Sequence, residues 1–348
     1  MDNGSARPFS GIQMPMECLD KGRLIAMLVL YIVLFIFGLA LFLFGMKFMT
    51  AALEKHTGDR LKNSLSRLTS SSFKGLCLGA GVTAVIQSSS AVTVMLVGLV
   101  NAGILTLRET VGVIMGANIG TTATSWILSL VGIKGVGLLS ILVNSCTIAA
   151  ASALCGLLLY FISKRKKKGL AACLFGFALL MCGMELMSGA LSPLRDVPQT
   201  AQVLTLFSNP FYGLLAGTVV TAVLQSSSAS VGLLQALSLT GTVPFASAIP
   251  IVMGQNIGTC VTALISCIGT NKNAKRTAFI HLYFNIIGAL FWLAAFYGCD
   301  IFLHFSFMDR SASPDMIALI HTVFNVLCTA LLFPFSGLLV RLAKDTVR

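Results

Sequence analysis

Charge is what this 348-residue sequence has least of. Only 10% of its residues are Asp, Glu, Lys or Arg, against roughly a quarter in a soluble globular domain, so a surface facing water on all sides is excluded. Acidic residues are the scarcer sign, 12 against 24 Lys and Arg. The ten cysteines contain no Cys-x-x-Cys pair and no regular spacing. They read as small buried hydrophobes, not as a disulfide framework or a metal site. The chain also lacks a Walker motif, a Ser/His/Asp constellation and paired carboxylates within its apolar runs, which argues against a nucleotide-driven pump and against an enzyme. Residues 1–23 do not read as a signal peptide, because the apolar run that follows is too long for its core and lacks an Ala-x-Ala exit, with Met14 and Met16 as alternative starts.

What is present is apolar length. Hydrophobic residues make up 56% of the chain, in runs at 24–50, 136–162, 169–191, 277–303 and 316–340 that are long enough to cross a bilayer. Two further runs, 75–103 and 109–132, are interrupted by Gly, Ser, Gln and Asn. The expected fold is therefore an all-α polytopic membrane protein. The net charge of +12 collects between the runs, as in Lys164-Arg165-Lys166-Lys167-Lys168 and from Lys272 to Arg276. That is the pattern of cytoplasmic loops and not of a nucleic-acid-binding surface.

The sequence is also written twice. Gln87-Ser88-Ser89-Ser90 recurs as Gln225-Ser226-Ser227-Ser228, an offset of 138 residues. The same offset carries Thr83-Ala84-Val85 onto Thr221-Ala222-Val223, and Asn118-Ile119-Gly120-Thr121 onto Asn256-Ile257-Gly258-Thr259. Between 75–127 and 213–265 there are 23 identities in 53 positions, without a gap. Each unit carries polar, glycine-flanked interruptions of its apolar run. The expected organisation is an N-terminal tail over 1–23, a first transmembrane repeat over 24–163 and a basic cytoplasmic loop over 164–168. A second repeat covers 169–305, and a C-terminal helix and tail cover 306–348.

Counting Lys and Arg orients the chain. With 75–103 and 211–241 as re-entrant hairpins and seven spans elsewhere, 17 of the 24 basic residues fall on the cytoplasmic side and six outside, Lys47 lying within a span. Treating the two interrupted segments as ordinary crossings leaves 10 inside and 13 outside, so the positive-inside bias favours hairpins. Three crossings then separate each element from its copy. The repeats are expected to be inverted in a plasma membrane, with the C-terminus cytoplasmic and the N-terminus external.

A break inside hydrocarbon frees backbone groups that need partners. At a hairpin tip, freed N–H groups and hydroxyls suit an anion, while carbonyl and hydroxyl oxygens suit a small cation such as Na+. One Gln-Ser-Ser-Ser tetrad alone is explained as well by close helix packing; two in register are not. Asn118, Thr121, Asn256 and Thr259, flanked by Gly116, Gly120, Gly254 and Gly258, read as a second break in each repeat. No Lys or Arg falls within the interrupted segments, so a bound anion needs dipoles, hydroxyls and a co-bound cation. His281-x-x-Phe-Asn285 reappears as His321-x-x-Phe-Asn325; here packed histidines and helix-bracing asparagines are the plainer reading. Lys47 and Glu185 are matched in the repeats but expected far apart in depth, each near its own interface.

These residues carry a resemblance. Paired Gln-Ser-Ser-Ser hairpins, each followed by Gly-x-Asn-Ile-Gly-Thr, resemble the type II sodium/phosphate cotransporter family and its bacterial relatives over about 24–340. The resemblance implies secondary transport of inorganic phosphate coupled to Na+, with no other cofactor. It assigns binding to Gln87, Ser88, Ser89, Ser90, Asn118, Thr121, Gln225, Ser226, Ser227, Ser228, Asn256 and Thr259. Electrogenic animal members carry an Asp where this chain has Ile141. Many bacterial relatives append a PhoU-like domain, which here would be a separate regulator. Export, an anion channel and a non-transporting phosphate sensor stay open as alternatives.

Overall fold

The computed structural model describes residues 21–68, 71–132, 144–162, 168–193 and 205–348. The tail up to residue 20, loop residues 164–167 and Ile141 lie outside the described residues. Twelve α-helices account for most of the rest. Seven of them are long and apolar enough to cross a membrane, and the protein is a multi-pass, all-α membrane protein. In chain order these are α1 (Lys21–Leu68), α4 (Leu107–Ser129, continued by a 3-10 turn), α5 (Ser145–Ile162), α6 (Lys168–Leu191), α9 (Phe245–Ser266), α10 (Lys272–Leu303) and α11 (Pro314–Leu332).

The remaining helices are short. α2 (Ser72–Ile86) and α3 (Ser89–Asn101) form one antiparallel pair; α7 (Pro210–Leu224) and α8 (Ser227–Ser238) form the other. At about 1.5 Å per residue, α2 and α7 extend roughly 22 Å, short of a hydrocarbon core of about 30 Å. Each pair turns at its Gln-Ser-Ser-Ser tetrad.

The expected second break is corrected by the structure. α4 runs without interruption through Asn118 and Thr121, and α9 through Asn256 and Thr259. Their glycines serve close approach. A methyl group on Gly116 would strike the Leu76 carbonyl and the Ala80 nitrogen, and one on Gly120 would strike Ala80 and Thr83. In the second repeat, Gly254 lies against Leu214 and Thr218, and Gly258 against Thr218 and Thr221. Residue numbers rise together on both sides, so α2 runs parallel to α4 and α7 to α9. The polar side chains fold back onto their own helices: Asn118 Nδ2 donates to Ile114 O at 3.1 Å, Thr121 Oγ1 to Ala117 O at 2.9 Å, and Thr259 Oγ1 to Gln255 O at 2.9 Å. Bonding of this kind lets polar residues remain inside a helix.

A second glycine seam joins α1 to α6. Gly38 and Gly45 are carried by the 138-residue offset onto Gly176 and Gly183. Gly38 sits against Gly183 and Met187, and Gly45 against Gly176 and Leu180; a methyl on Gly45 would lie 2.5 Å from the Leu180 nitrogen. Numbers fall on one helix as they rise on the other, so these equivalent helices are antiparallel. Phe42, Met46, Met49, Leu180, Met181, Met184 and Met187 close the seam.

α10 connects the two ends of the molecule. At its N-terminal end, the Asn271 N–H donates to Asn101 Oδ1 at 2.9 Å and Asn271 Nδ2 to Asn101 O at 2.9 Å, which fixes the exit of the first short pair there. Past its C-terminal end, the 304–313 segment receives the exit of the second: Ala312 N donates to Val243 O at 2.8 Å and Phe245 N to Arg310 O at 3.0 Å. The two pairs thus open toward opposite ends of α10, a helix roughly 48 Å long at about 1.5 Å per residue.

The expected apolar run 316–340 is not one helix. α11 stops at Leu332, because Pro334 has no N–H to continue it, and α12 (Ser336–Thr346) follows. α12 packs Leu339 and Ala343 inward while leaving Phe335 and Leu338 exposed. It returns to the start of α10, where Arg276 Nε donates to Val347 O at 3.0 Å and Tyr283 Oη pairs with Thr346 Oγ1 at 2.6 Å.

Candidate functional site

Both tetrads form the same turn. Gln87 ends α2 with φ 64° and ψ 24°, and Gln225 ends α7 with φ 53° and ψ 25°. A side-chain-bearing residue in this left-handed region costs about 1–2 kcal/mol, and the same turn is built at both tips. Each Gln N–H still closes its helix onto a threonine carbonyl, Thr83 and Thr221, at 2.7 Å. The next serine starts the return helix: Ser88 Oγ accepts from Ala91 N at 3.1 Å, and Ser226 Oγ from Ala229 N at 3.2 Å. Ser88 and Ser226 therefore act as N-caps. The opening turns of α3 and α8, which carry Ser89, Ser90, Ser227 and Ser228, present helix N-termini at the tips.

The two tips differ in exposure. Gln87 is 7% exposed, and its Nε2 donates to Ala84 O. Gln225 is exposed. Ser89, Ser227 and Ser228 are buried, and Ser90 is half-buried. Around the first tip, Thr83 Oγ1, Gln87 Oε1 and Thr124 Oγ1 are buried without a hydrogen-bond partner among the described residues; at the second, so is Thr221 Oγ1. Buried polar atoms are normally satisfied. Thr83 and Thr221 are repeat equivalents, and both face the motif glycines Gly120 and Gly258. Oxygen donors of this kind suit a small hard cation.

Asn118 and Asn256 have different surroundings. Asn118 bonds within its own helix, whereas Asn256 joins a buried chain across elements. Its Nδ2 donates to Asn325 Oδ1 at 2.8 Å, and its Oδ1 faces His321 Nε2 at 3.2 Å. His321 Nδ1 meets Ser125 Oγ at 2.6 Å, and Asn325 Nδ2 donates to His321 O at 2.8 Å. Asn285 braces α10 by donating to His281 O at 2.9 Å and also reaches Cys260 Sγ at 3.3 Å. Both histidines are buried.

Several polar residues at this centre escaped the sequence reading. Thr83 and Thr221 carried a signal, since they stand within the repeated Thr-Ala-Val. Ser125, Gln235 and Gln255 carried none, because their repeat equivalents are Ala263, Val97 and Ala117. Gln235 Nε2 donates to Ser125 O at 3.0 Å and to Pro314 O at 2.9 Å, and Gln255 Nε2 donates to Ser230 O at 3.0 Å. The α1–α6 register separates Lys47 from Glu185 by about ten residues, roughly 15 Å along the axis.

Comparison with known proteins places this arrangement. YqeW of Bacillus subtilis is 29% identical over 287 residues, covering 81% of this chain and 87% of that one. YjbB of Salmonella typhimurium, named for inorganic phosphate export, is 25% identical over 298 residues, covering 84% of this chain and 51% of YjbB. The human sodium-dependent phosphate transport protein 2B is 27% identical over 212 residues, covering 53% of this chain and 29% of that protein. The chain thus spans about half the length of YjbB and under a third of the human transporter. No solved structure matches it. The family model described as Na+/Pi-cotransporter matches residues 41–189 and 192–310, so the chain belongs to the Na+/Pi-cotransporter family.

Proposed function

We propose that this protein is a secondary transporter that moves inorganic phosphate together with Na+ by alternating access. The observation that carries the reading is the twice-built turn: two tips with the same left-handed glutamine and serine cap, on helix pairs that open toward opposite ends of the molecule. In a bilayer this is an inverted pair of re-entrant hairpins, which suits a site reached from either side. The cytoplasmic face is assigned to the end holding Arg108, Lys272, Lys275, Arg276, Arg341 and Lys344, by the positive-inside bias.

The chemistry divides between the ions. The N-termini of α3 and α8 offer N–H groups and positive dipole ends to phosphate. The unpartnered Gln87 amide oxygen can only accept, and the unpartnered hydroxyls of Thr83, Thr124 and Thr221 have lone pairs to offer Na+. Residues 75–103 and 211–241 contain no Lys or Arg, so Na+ supplies the charge that makes the anion site favourable. The binding set is Gln87–Ser90, Gln225–Ser228, Asn118, Thr121, Asn256 and Thr259. Each Na+ entering down a tenfold gradient contributes about 1.4 kcal/mol, so two suffice for roughly hundredfold accumulation. Exposure at Gln225 beside burial at Gln87 matches a conformation open to one hairpin.

Radiolabelled phosphate uptake into proteoliposomes, under an inward Na+ gradient or matched K+, tests the reading. Saturable accumulation that requires Na+ is expected. Na+-independent, non-saturating flux would replace the transporter with a channel, and binding without flux would replace it with a sensor. The names of the YjbB relatives favour export as a second reading of net direction, which reversing the Na+ gradient separates.

A further inference from the structure

We propose that His321 is a positioning residue for Asn256, holding its amide with the oxygen turned inward and an N–H edge left for the anion. The proposal rests on the reading that Asn256 belongs to the phosphate site. Every bond direction in the chain is set by its neighbour. Asn325 uses its Nδ2 on the His321 carbonyl at 2.8 Å, so its Oδ1 is what faces Asn256. Asn256 must then turn Nδ2 toward Asn325 and Oδ1 toward the imidazole. An amide oxygen only accepts, so His321 Nε2 carries the proton; in the neutral ring Nδ1 then carries the lone pair, and the Ser125 hydroxyl donates to it. Ser125 is itself held through its carbonyl by Gln235. His321 is 0%, Ser125 1% and Asn325 1% exposed, so these bonds are closed off from bulk solvent.

This makes two identical motif asparagines chemically unequal. Asn118 bonds only to the Ile114 carbonyl of its own helix and keeps its side-chain oxygen uncommitted. Asn256 has surrendered its oxygen to His321 and retains one uncommitted N–H. The asymmetry is specific to the second repeat's asparagine, because the anchors have no repeat counterparts: Ala263 stands at the equivalent of Ser125 and Val97 at that of Gln235, both buried among apolar side chains. His321 thus orients a donor for phosphate, while Asn118 retains an acceptor for Na+.

The test is uptake kinetics of the full chain in proteoliposomes, with phosphate titrated at saturating Na+ and Na+ titrated at saturating phosphate. His321→Leu removes the ring's donor and is expected to raise half-saturating phosphate about tenfold, leaving maximal rate and half-saturating Na+ within about twofold. His321→Gln places an amide N–H near the former Nε2 and is expected to recover phosphate half-saturation to within about threefold. Ser125→Ala installs the residue found at the equivalent repeat position, frees the ring, and is expected to raise half-saturating phosphate about threefold to fivefold even if the leucine variant fails to insert. Equal kinetics for the Leu and Gln variants, an effect on Na+ alone, or an unchanged Ser125→Ala would overturn the positioning role while leaving the transporter reading intact. Wild-type protein showing neither Na+-dependent flux nor a phosphate-induced rise in Tm would remove both.

Discussion

Gly45 and Gly176 lie face to face where α1 crosses α6, and a methyl group on Gly45 would stand 2.7 Å from the Gly176 carbonyl. Because Gly38 and Gly183 make the reciprocal contact, this seam lies where the two repeats meet. It brings backbones together in an environment where lipid removes much of the hydrophobic drive for helix association. Gly45→Ala is expected to lower stability by about 1–3 kcal/mol through overpacking. Gly98→Ala, where nothing lies within 4 Å, is expected to be neutral or slightly stabilising. Thermal unfolding in detergent, followed by intrinsic fluorescence, distinguishes the two.

At the left-handed glutamines, stability and the proposed function can be tested apart. Gln87→Gly relieves a backbone strain of about 1–2 kcal/mol while deleting the side-chain amide. The variant is expected to be at least as stable as the parent, yet to lose Na+-dependent phosphate uptake. A stable variant with full uptake would leave the Gln87 side chain outside the binding chemistry.

Pro250 and Tyr297 form a coupled pair. Pro250 lies inside α9 and donates no N–H to the Ala246 carbonyl, which instead accepts from Tyr297 Oη at 3.1 Å. Tyr297→Phe is expected to cost about 1–3 kcal/mol by leaving that carbonyl unpaired. In a Pro250→Ala background, where a helical N–H returns, the same change is expected to cost less. A double-mutant cycle on Tm or denaturant midpoint reads the coupling.

Opposite openings of the short helix pairs predict opposite labelling. In a cysteine-free background, Lys272→Cys is expected to react with a membrane-impermeant thiol reagent only from the cytoplasmic side. Asp309→Cys is expected to react only from outside. Labelling of both from one side would contradict the inverted arrangement.

How much of this was legible in the sequence can be followed residue by residue. The two turns were legible because Gln-Ser-Ser-Ser is conspicuous in apolar surroundings and occurs twice at one offset. Parity of the intervening spans and the distribution of Lys and Arg led to an expectation of opposite openings; in the structure Asn101 joins Asn271 at one end of α10, and Val243 joins Ala312 past the other. The glycines around Asn118 and Asn256 were misleading. A glycine written in a chain looks the same whether it breaks a helix or admits a neighbour, and only the positions of Leu76, Ala80, Leu214 and Thr218 decide between them.

The sequence by itself determined the membrane class, the duplication, the paired tips and the lack of basic residues beside them, because these follow from local residue type and spacing. Tertiary structure alone decided that α4 and α9 stay continuous and that Gln87 is buried while Gln225 is exposed. It also decided that Asn256 meets His321, 65 positions away. Close approach, burial and hydrogen-bond direction depend on what stands opposite, and in this protein what stands opposite comes from distant segments of the chain.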